Sequence, residues 1–231
     1  MYMPAEIAQI AAWLAAFGLQ LNALHASDGE EKKWVSSREY ERRAGVELVR
    51  NRIAMTAELG GDVIVMHLGD EPKERKAQTA FWTQLRRSLG ELEPFAGEHG
   101  VQIAVENGEF GSIRRVLEEY GPDYVGLCYD CGHGNLIPDG LDDLDALKDR
   151  LLAVHLHDND GRSDQHKLLF SGTVDWPRLA GIIAVSSYRK PVSMEVSMRN
   201  SGIPDEAAFL QKAFQTGTTF AKMISRHAGT R

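Results

Sequence analysis

Nine residues of this chain are of the types from which catalytic metal centres are built: His25, His67, Glu106, Asp130, His133, His155, Asp164, His166 and Glu195. Mixed imidazole and carboxylate donors suit Mn, Co, Zn or Fe, and lack the all-oxygen character of a Ca or Mg cage. No thiolate is in the set, so an open catalytic metal is expected rather than a closed structural zinc. A single histidine at a strand end is more often a hydrogen-bonded structural residue. Glu106 and Glu195 carry more weight, because each follows an apolar run (IAVE and VSME). A carboxylate buried there is costly unless a cation or hydrogen bonds compensate it. Asp130 and His133 stand three apart across a strand end and turn. His155 and His157 face the same side of an extended segment; His155, nearer the strand body, is the expected ligand, while His157 and Asp158 would orient ligands or tie down the loop. Asp164 and His166 add an i, i+2 pair in that loop.

The elements that must position these side chains follow from hydrophobic period. Residues 5–17 carry Ile7, Ile10, Leu14 and Phe17 at helical spacing, interrupted by Glu6 and Gln9, so they form an amphipathic helix rather than a signal peptide. Strands are expected at 19–24, 63–66, 101–105, 125–129, 151–154 and 192–194, ending at His25, His67, Glu106, Asp130, His155 and Glu195. Helices are expected at 37–59, 76–99, 112–120, 141–150, 177–185 and 205–227, with a polar loop at 27–33. Short apolar strands alternating with amphipathic helices imply parallel pairing with helices over the sheet. In a parallel barrel the C-terminal strand ends converge on one face, where such enzymes place their chemistry.

Composition bounds the partners. The chain has 231 residues, 43% hydrophobic and 26% charged, which fits one soluble α/β domain spanning 1–231 and no membrane protein. With 26 Lys and Arg against 33 Asp and Glu the net charge is −7, and the pI of about 5.6 counts against a nucleic-acid partner. Arg38, Arg42, Arg43, Arg50 and Arg52 are interleaved with glutamates along one helix, a solvated face rather than a phosphate-binding stripe. Cys128 and Cys131 make no disulfide framework; a reducing, cytoplasmic compartment is the simpler expectation, with both thiols semi-buried. Trp176 is expected as a packing anchor, and Trp34 as a surface on which a sugar could stack.

The ordered series LHAS, VMHLGD, AVENG, GLCYDCGH, VHLHDNDGRSDQH, FSGTVDW and MEV, over roughly residues 18 to 200, resembles the xylose isomerase-like barrel superfamily. That superfamily holds sugar phosphate isomerases and epimerases and the endonuclease IV-type enzymes, and the resemblance implies a TIM-type (β/α) barrel. In the epimerase branch one divalent metal (Mn, Co, Mg or Zn) is held by four residues that fall here on Glu106, Asp130, His155 and Glu195. The two glutamates there also act as the acid/base pair, and His133 matches a substrate contact. In the endonuclease branch up to three zinc ions are bound, with the additional ligands falling on His25, His67, His133, Asp164 and His166. The residue types satisfy both branches. The family barrel has two further strands before the one ending at His25, and six strands do not close a barrel that typically takes about 250 residues. Either the start lies earlier, or the sheet is open, or a partner chain such as a second copy covers the gap. Exposed edges are therefore expected to be covered by a helix, a loop or another subunit.

Three functions are compatible with these residues. The first is a metal-dependent isomerase or epimerase of a small sugar or sugar phosphate, with Glu106 and Glu195 moving a proton through an enediolate-like intermediate. The second is a zinc-dependent phosphoesterase in which clustered metals activate water. The third is an inactive barrel that only binds a ligand or an oligomeric partner.

Overall fold

Parallel register decides which strand-end side chains can meet, and here it brings the metal-ligand types side by side. The computed structural model describes residues 1–26 and 33–229. The expected polar loop lies, apart from Lys33, outside the described residues. The chain divides into two compact units, 1–126 and 127–231.

The first unit contains α1 (Pro4–Ala16), β1 (Leu24–His25), α2 (Glu39–Glu58), β2 (Val63–His67), α3 (Arg75–His99), β3 (Gln102–Glu106) and α4 (Phe110–Glu119). β1 pairs in parallel with β2, aligning His25 with Val65. β2 pairs in parallel with β3, aligning His67 with Glu106. Val63 to Met66 and Ile103 to Val105 are all buried, beneath Val46, Val49 and Ile53 of α2 and Leu85, Leu89 and Leu92 of α3. Each such aliphatic side chain contributes about 1.5–3 kcal/mol when fully removed from water. α3 begins where the Glu74 carboxylate accepts the amides of Lys76 and Ala77, and it ends at Gly100, whose φ of 63° is left-handed. The amphipathic α1 forms as expected, but it buries Ile7 and leaves Trp13 and Phe17 exposed.

Charge also holds this unit together. Arg42 on α2 is buried; its guanidinium donates to Glu39 (2.9 Å) and Glu91 (2.8 Å) and to Ser88 Oγ (3.0 Å). Ser88 in turn donates to the carbonyl of Trp34 at 2.6 Å. One buried cation thus fixes α2, α3 and the segment carrying Trp34.

The second unit contains most of β4 (Val125–Asp130), then α5 (Cys131–Asn135), α6 (Gly140–Leu147), a 3-10 turn (Lys148–Arg150), β5 (Leu151–His155), α7 (Trp176–Val185), a second 3-10 turn (Met198–Asn200) and α8 (Glu206–Ala228). β4 and β5 pair in parallel with Asp130 aligned to His155. α7 packs along α8.

Two expected strands are corrected. The strand over 19–24 is reduced to Leu24–His25, and Leu19 is exposed; β2 offers partners only at Ile64 and Val65. The strand at 192–194 forms no ladder: Met194 makes a single parallel bridge to Leu156. Burial is incomplete along 192–195, so an apolar run signals a strand without supplying the second neighbour that a ladder needs. No helix among the described residues is long and apolar enough to cross a membrane.

The Arg42 cluster gives a stability test. Hydrogen bonding from Arg42, assisted by Arg87, lowers the Glu39 carboxyl from its ordinary 4.5 to about 2. A depressed folded-state value means stabilisation that is present above about pH 4.3 and is lost as pH falls toward 2. Arg42→Ala is expected to destabilise by about 2–3 kcal/mol at neutral pH, from lost packing and the lost hydrogen bond to Ser88. In urea titrations the gap between wild type and variant should narrow between pH 5 and pH 2; a constant gap would discount the ion pairs.

Candidate active site

The first unit supplies a buried carboxylate facing two imidazoles. Glu106, at the end of β3, is 3% exposed. Its Oε2 lies 3.3 Å from His25 Nε2 and 3.4 Å from His67 Nε2. The His67 contact follows from register, since aligned residues of parallel strands project to the same face. His25 Nδ1 stands 3.0 Å from the carbonyl of Ala26, which can only accept, so the hydrogen-bond network puts the ring proton on Nδ1. The Nε2 lone pair then faces a carboxylate oxygen, an arrangement that needs a positive charge, either a proton or a metal ion. Two ligand atoms on one tetrahedral ion with bonds of about 2.0–2.1 Å are about 3.3–3.4 Å apart. The separations in this cluster fit that edge, and all its ligand atoms lie within 4.8 Å of one another. Beside it opens a cavity of about 730 Å³ lined by His25, His67, Trp34, Met66, Leu68 and Phe81. Trp34 is buried, held by its carbonyl bond to Ser88, and it presents a wall to this cavity.

The second unit supplies the other candidates. His155 Nδ1 lies 3.0 Å from Glu195 Oε2, the Glu195 side chain being 46% exposed and that of His155 12%. Asp130 is fully buried; its Oδ1 caps α5 by accepting the His133 amide at 2.7 Å. His157 Nε2 contacts both Asp130 oxygens, at 3.0 and 3.1 Å. Burial pushes the His157 pKa down, but the hydrogen bond to Asp130 and the charges of Asp130, Asp164 and Glu195 outweigh it, and the net direction is up. Its Nδ1 is buried and has no hydrogen-bond partner among the described residues. His157 thus holds the Asp130 carboxylate from a buried position. The His133 ring is 3.8 Å from Asp130 and 3.5 Å from Asp164, while Asp164 Oδ2 meets His166 Nε2 at 3.0 Å. His133, Asp164 and His166 thus gather around the buried His157, on whose ring His166 stacks at 4.0 Å.

Asp158 ties down the loop that carries Asp164 and His166. Its Oδ1 accepts the amides of Asn159 (2.9 Å) and Val174 (3.2 Å), and its Oδ2 accepts the Trp176 indole N–H at 2.9 Å. Trp176 is buried, the packing anchor that was expected. Asp158 and Lys167 also exchange both backbone hydrogen bonds, so the loop is closed at its base.

Two contributors escape sequence reading. Gly132 lets the His157 ring lie against the backbone: a Cβ there would come within 1.8 Å of the ring. Cys131 Sγ donates to the His157 carbonyl at 3.1 Å, and burial raises its thiol pKa strongly. It stays protonated, and among the described residues both cysteines are buried and neither is in a disulfide. The glycines of the CGHG run were the available signal, since two glycines at a buried strand end imply close approach.

Comparison with known proteins fits this geometry. A profile described as xylose isomerase-like TIM barrel matches residues 1–213. The uncharacterized protein y4fM of Sinorhizobium fredii is 33% identical over 254 residues, covering 97% of this chain and 81% of its own. The probable endonuclease 4 of Mycobacterium tuberculosis is 27% identical over 183 residues, covering 71% of this chain and 68% of its own. Among solved structures, a D-tagatose 3-epimerase-like protein superposes with a TM-score of 0.80 at 19% identity, over 97% of this chain and 85% of that one. With its strand-end ligand types, its parallel β/α order and a profile match over most of its length, this chain belongs to the xylose isomerase-like TIM barrel family.

Proposed function

We propose that the chain is a metal-dependent isomerase or epimerase of a small sugar or sugar phosphate, with Glu106 and Glu195 as its acid/base pair. The observation that carries this reading is the contrast between the two carboxylates: Glu106 buried among imidazoles, Glu195 beside His155 with its side chain half exposed and able to reach a substrate. Glu106, Asp130, His155 and Glu195 would hold one divalent ion, an assignment supported by the order of the motifs and by the strand-end positions of Glu106, Asp130 and His155. When bound, that ion supplies a Lewis acid for a substrate oxygen next to the reacting carbon. The chain's own residues do the rest. One glutamate takes the proton from carbon and the other returns a proton to the opposite face. His157 keeps the Asp130 carboxylate aimed through Nε2. The cavity beside His25 and His67 takes the body of the substrate, with Trp34 as its aromatic wall. The likeness to a D-tagatose 3-epimerase-like protein supports the reading at the level of fold.

A second reading is favoured by one observation. Two imidazoles on one oxygen of Glu106, at the spacing of a tetrahedral edge, make a metal position beyond the four-ligand set. Several metals would suit a phosphoesterase, the activity named in the endonuclease 4 relative.

Metal analysis separates the two. Plasma mass spectrometry on protein purified without added metal or chelator is expected to find about one Mn, Co or Mg per chain; two or three Zn would put the phosphoesterase first, and no metal even after reconstitution would sink both.

Glu106→Gln is expected to lower metal content and to cut turnover by about 10²–10⁴-fold. With wild type in deuterium oxide, NMR should show solvent deuterium entering one carbon of a ketose. Unchanged metal content and turnover in the variant would remove Glu106 from the site.

A further inference from the structure

Glu195 is held in an unusual way. It lies outside every ladder, and only one edge of its segment touches a strand: the Leu156 amide donates to the Ser193 carbonyl at 2.9 Å, and the Glu195 amide donates to the Leu156 carbonyl at 3.0 Å. Beyond this bridge stands one loop residue. His166 Nδ1 lies 2.8 Å from the Glu195 carbonyl, and the Ser197 amide donates to the His166 carbonyl at 2.7 Å. The carbonyl can only accept, so Nδ1 carries the ring proton and donates it. To reach this place His166 adopts φ +46°, a left-handed backbone that a non-glycine residue rarely takes. Its ring is backed by the stack on His157 and its loop is closed by Asp158.

We propose that His166 is a positioning residue for Glu195, one loop residue doing what a neighbouring strand would do. The inference rests on Glu195 being an acid/base residue, and it assigns a task to Nδ1 that is separate from anything Nε2 does toward Asp164. The half-exposed carboxylate is directed by His155 at 3.0 Å and by the backbone that carries it, and that backbone is pinned at the Glu195 amide by Leu156 and at the Glu195 carbonyl by His166. Strain at a residue that bonds one short segment through both its ring and its backbone carbonyl is the signature of such a device.

Amide hydrogen exchange by mass spectrometry on the full chain, with and without EDTA, tests this. His166→Ala is expected to speed exchange across residues 195–197 about tenfold, the factor that one hydrogen bond of ordinary net worth represents, and to leave β4 and α7 unchanged. His166→Asn, which tolerates the left-handed backbone and offers an N–H near the place of Nδ1, is expected to restore protection. Wild-type exchange in the alanine variant, acceleration spread evenly over the second unit, or an asparagine variant no better than alanine would each overturn the proposal. The readout uses no turnover, so a failure to find any sugar that exchanges a proton would count against the epimerase reading and not against this one.

Discussion

A carboxylate at the buried end of a β-strand must be compensated, and the choice of compensating group decides what the fold can do. At Glu106 the compensation comes from His25 and His67, delivered by the parallel register of β1, β2 and β3. At Asp130 it comes from a helix amide and from His157. Imidazole can give up its proton and present a lone pair to a metal, whereas guanidinium cannot. The same chain shows the alternative: Arg42 neutralises Glu39 and Glu91 between α2 and α3.

The second unit builds much of its chemistry from loop rather than from ladder. Asp158 closes the loop at its base and anchors it to Trp176. Gly172 permits this, because a Cβ there would come within 2.4 Å of an Asp158 oxygen. The loop then carries Asp164 and His166 to the buried His157. Preorganisation of this kind moves ordering entropy into folding, so less is lost when a ligand binds.

The strand-end residues were legible because short, continuous apolar runs end at ligand-type polar residues, and a buried polar end needs a reason. His67 beside Glu106 and His155 beside Glu195 emerge from that pattern directly. What was not legible depends on approach distance and on ring tautomers. The glycines of the Cys131 to Gly134 run signal close approach, but not that the turn is helical or that the His157 ring is what lies against Gly132. The bond from His166 to the Glu195 carbonyl spans 29 residues and needs a left-handed backbone that histidine seldom adopts. The strand at 192–194 failed for a related reason, since hydrophobicity reports burial and pairing requires a neighbour.

The acidic helix caps have a consequence for the chain's net charge. α3, α4, α5, α7 and α8 each start at a carboxylate, namely Glu74, Glu109, Asp130, Asp175 and Asp205, whose side chain accepts amides of the first turn. Five of the 33 acidic residues are therefore committed to helix initiation, where they complement the positive end of the helix dipole. The acidity of this protein is to that extent a property of its architecture. Surface redesign toward an anionic ligand would have to add lysines and arginines elsewhere, because removing these acids would unmake the starts of the helices that frame the site.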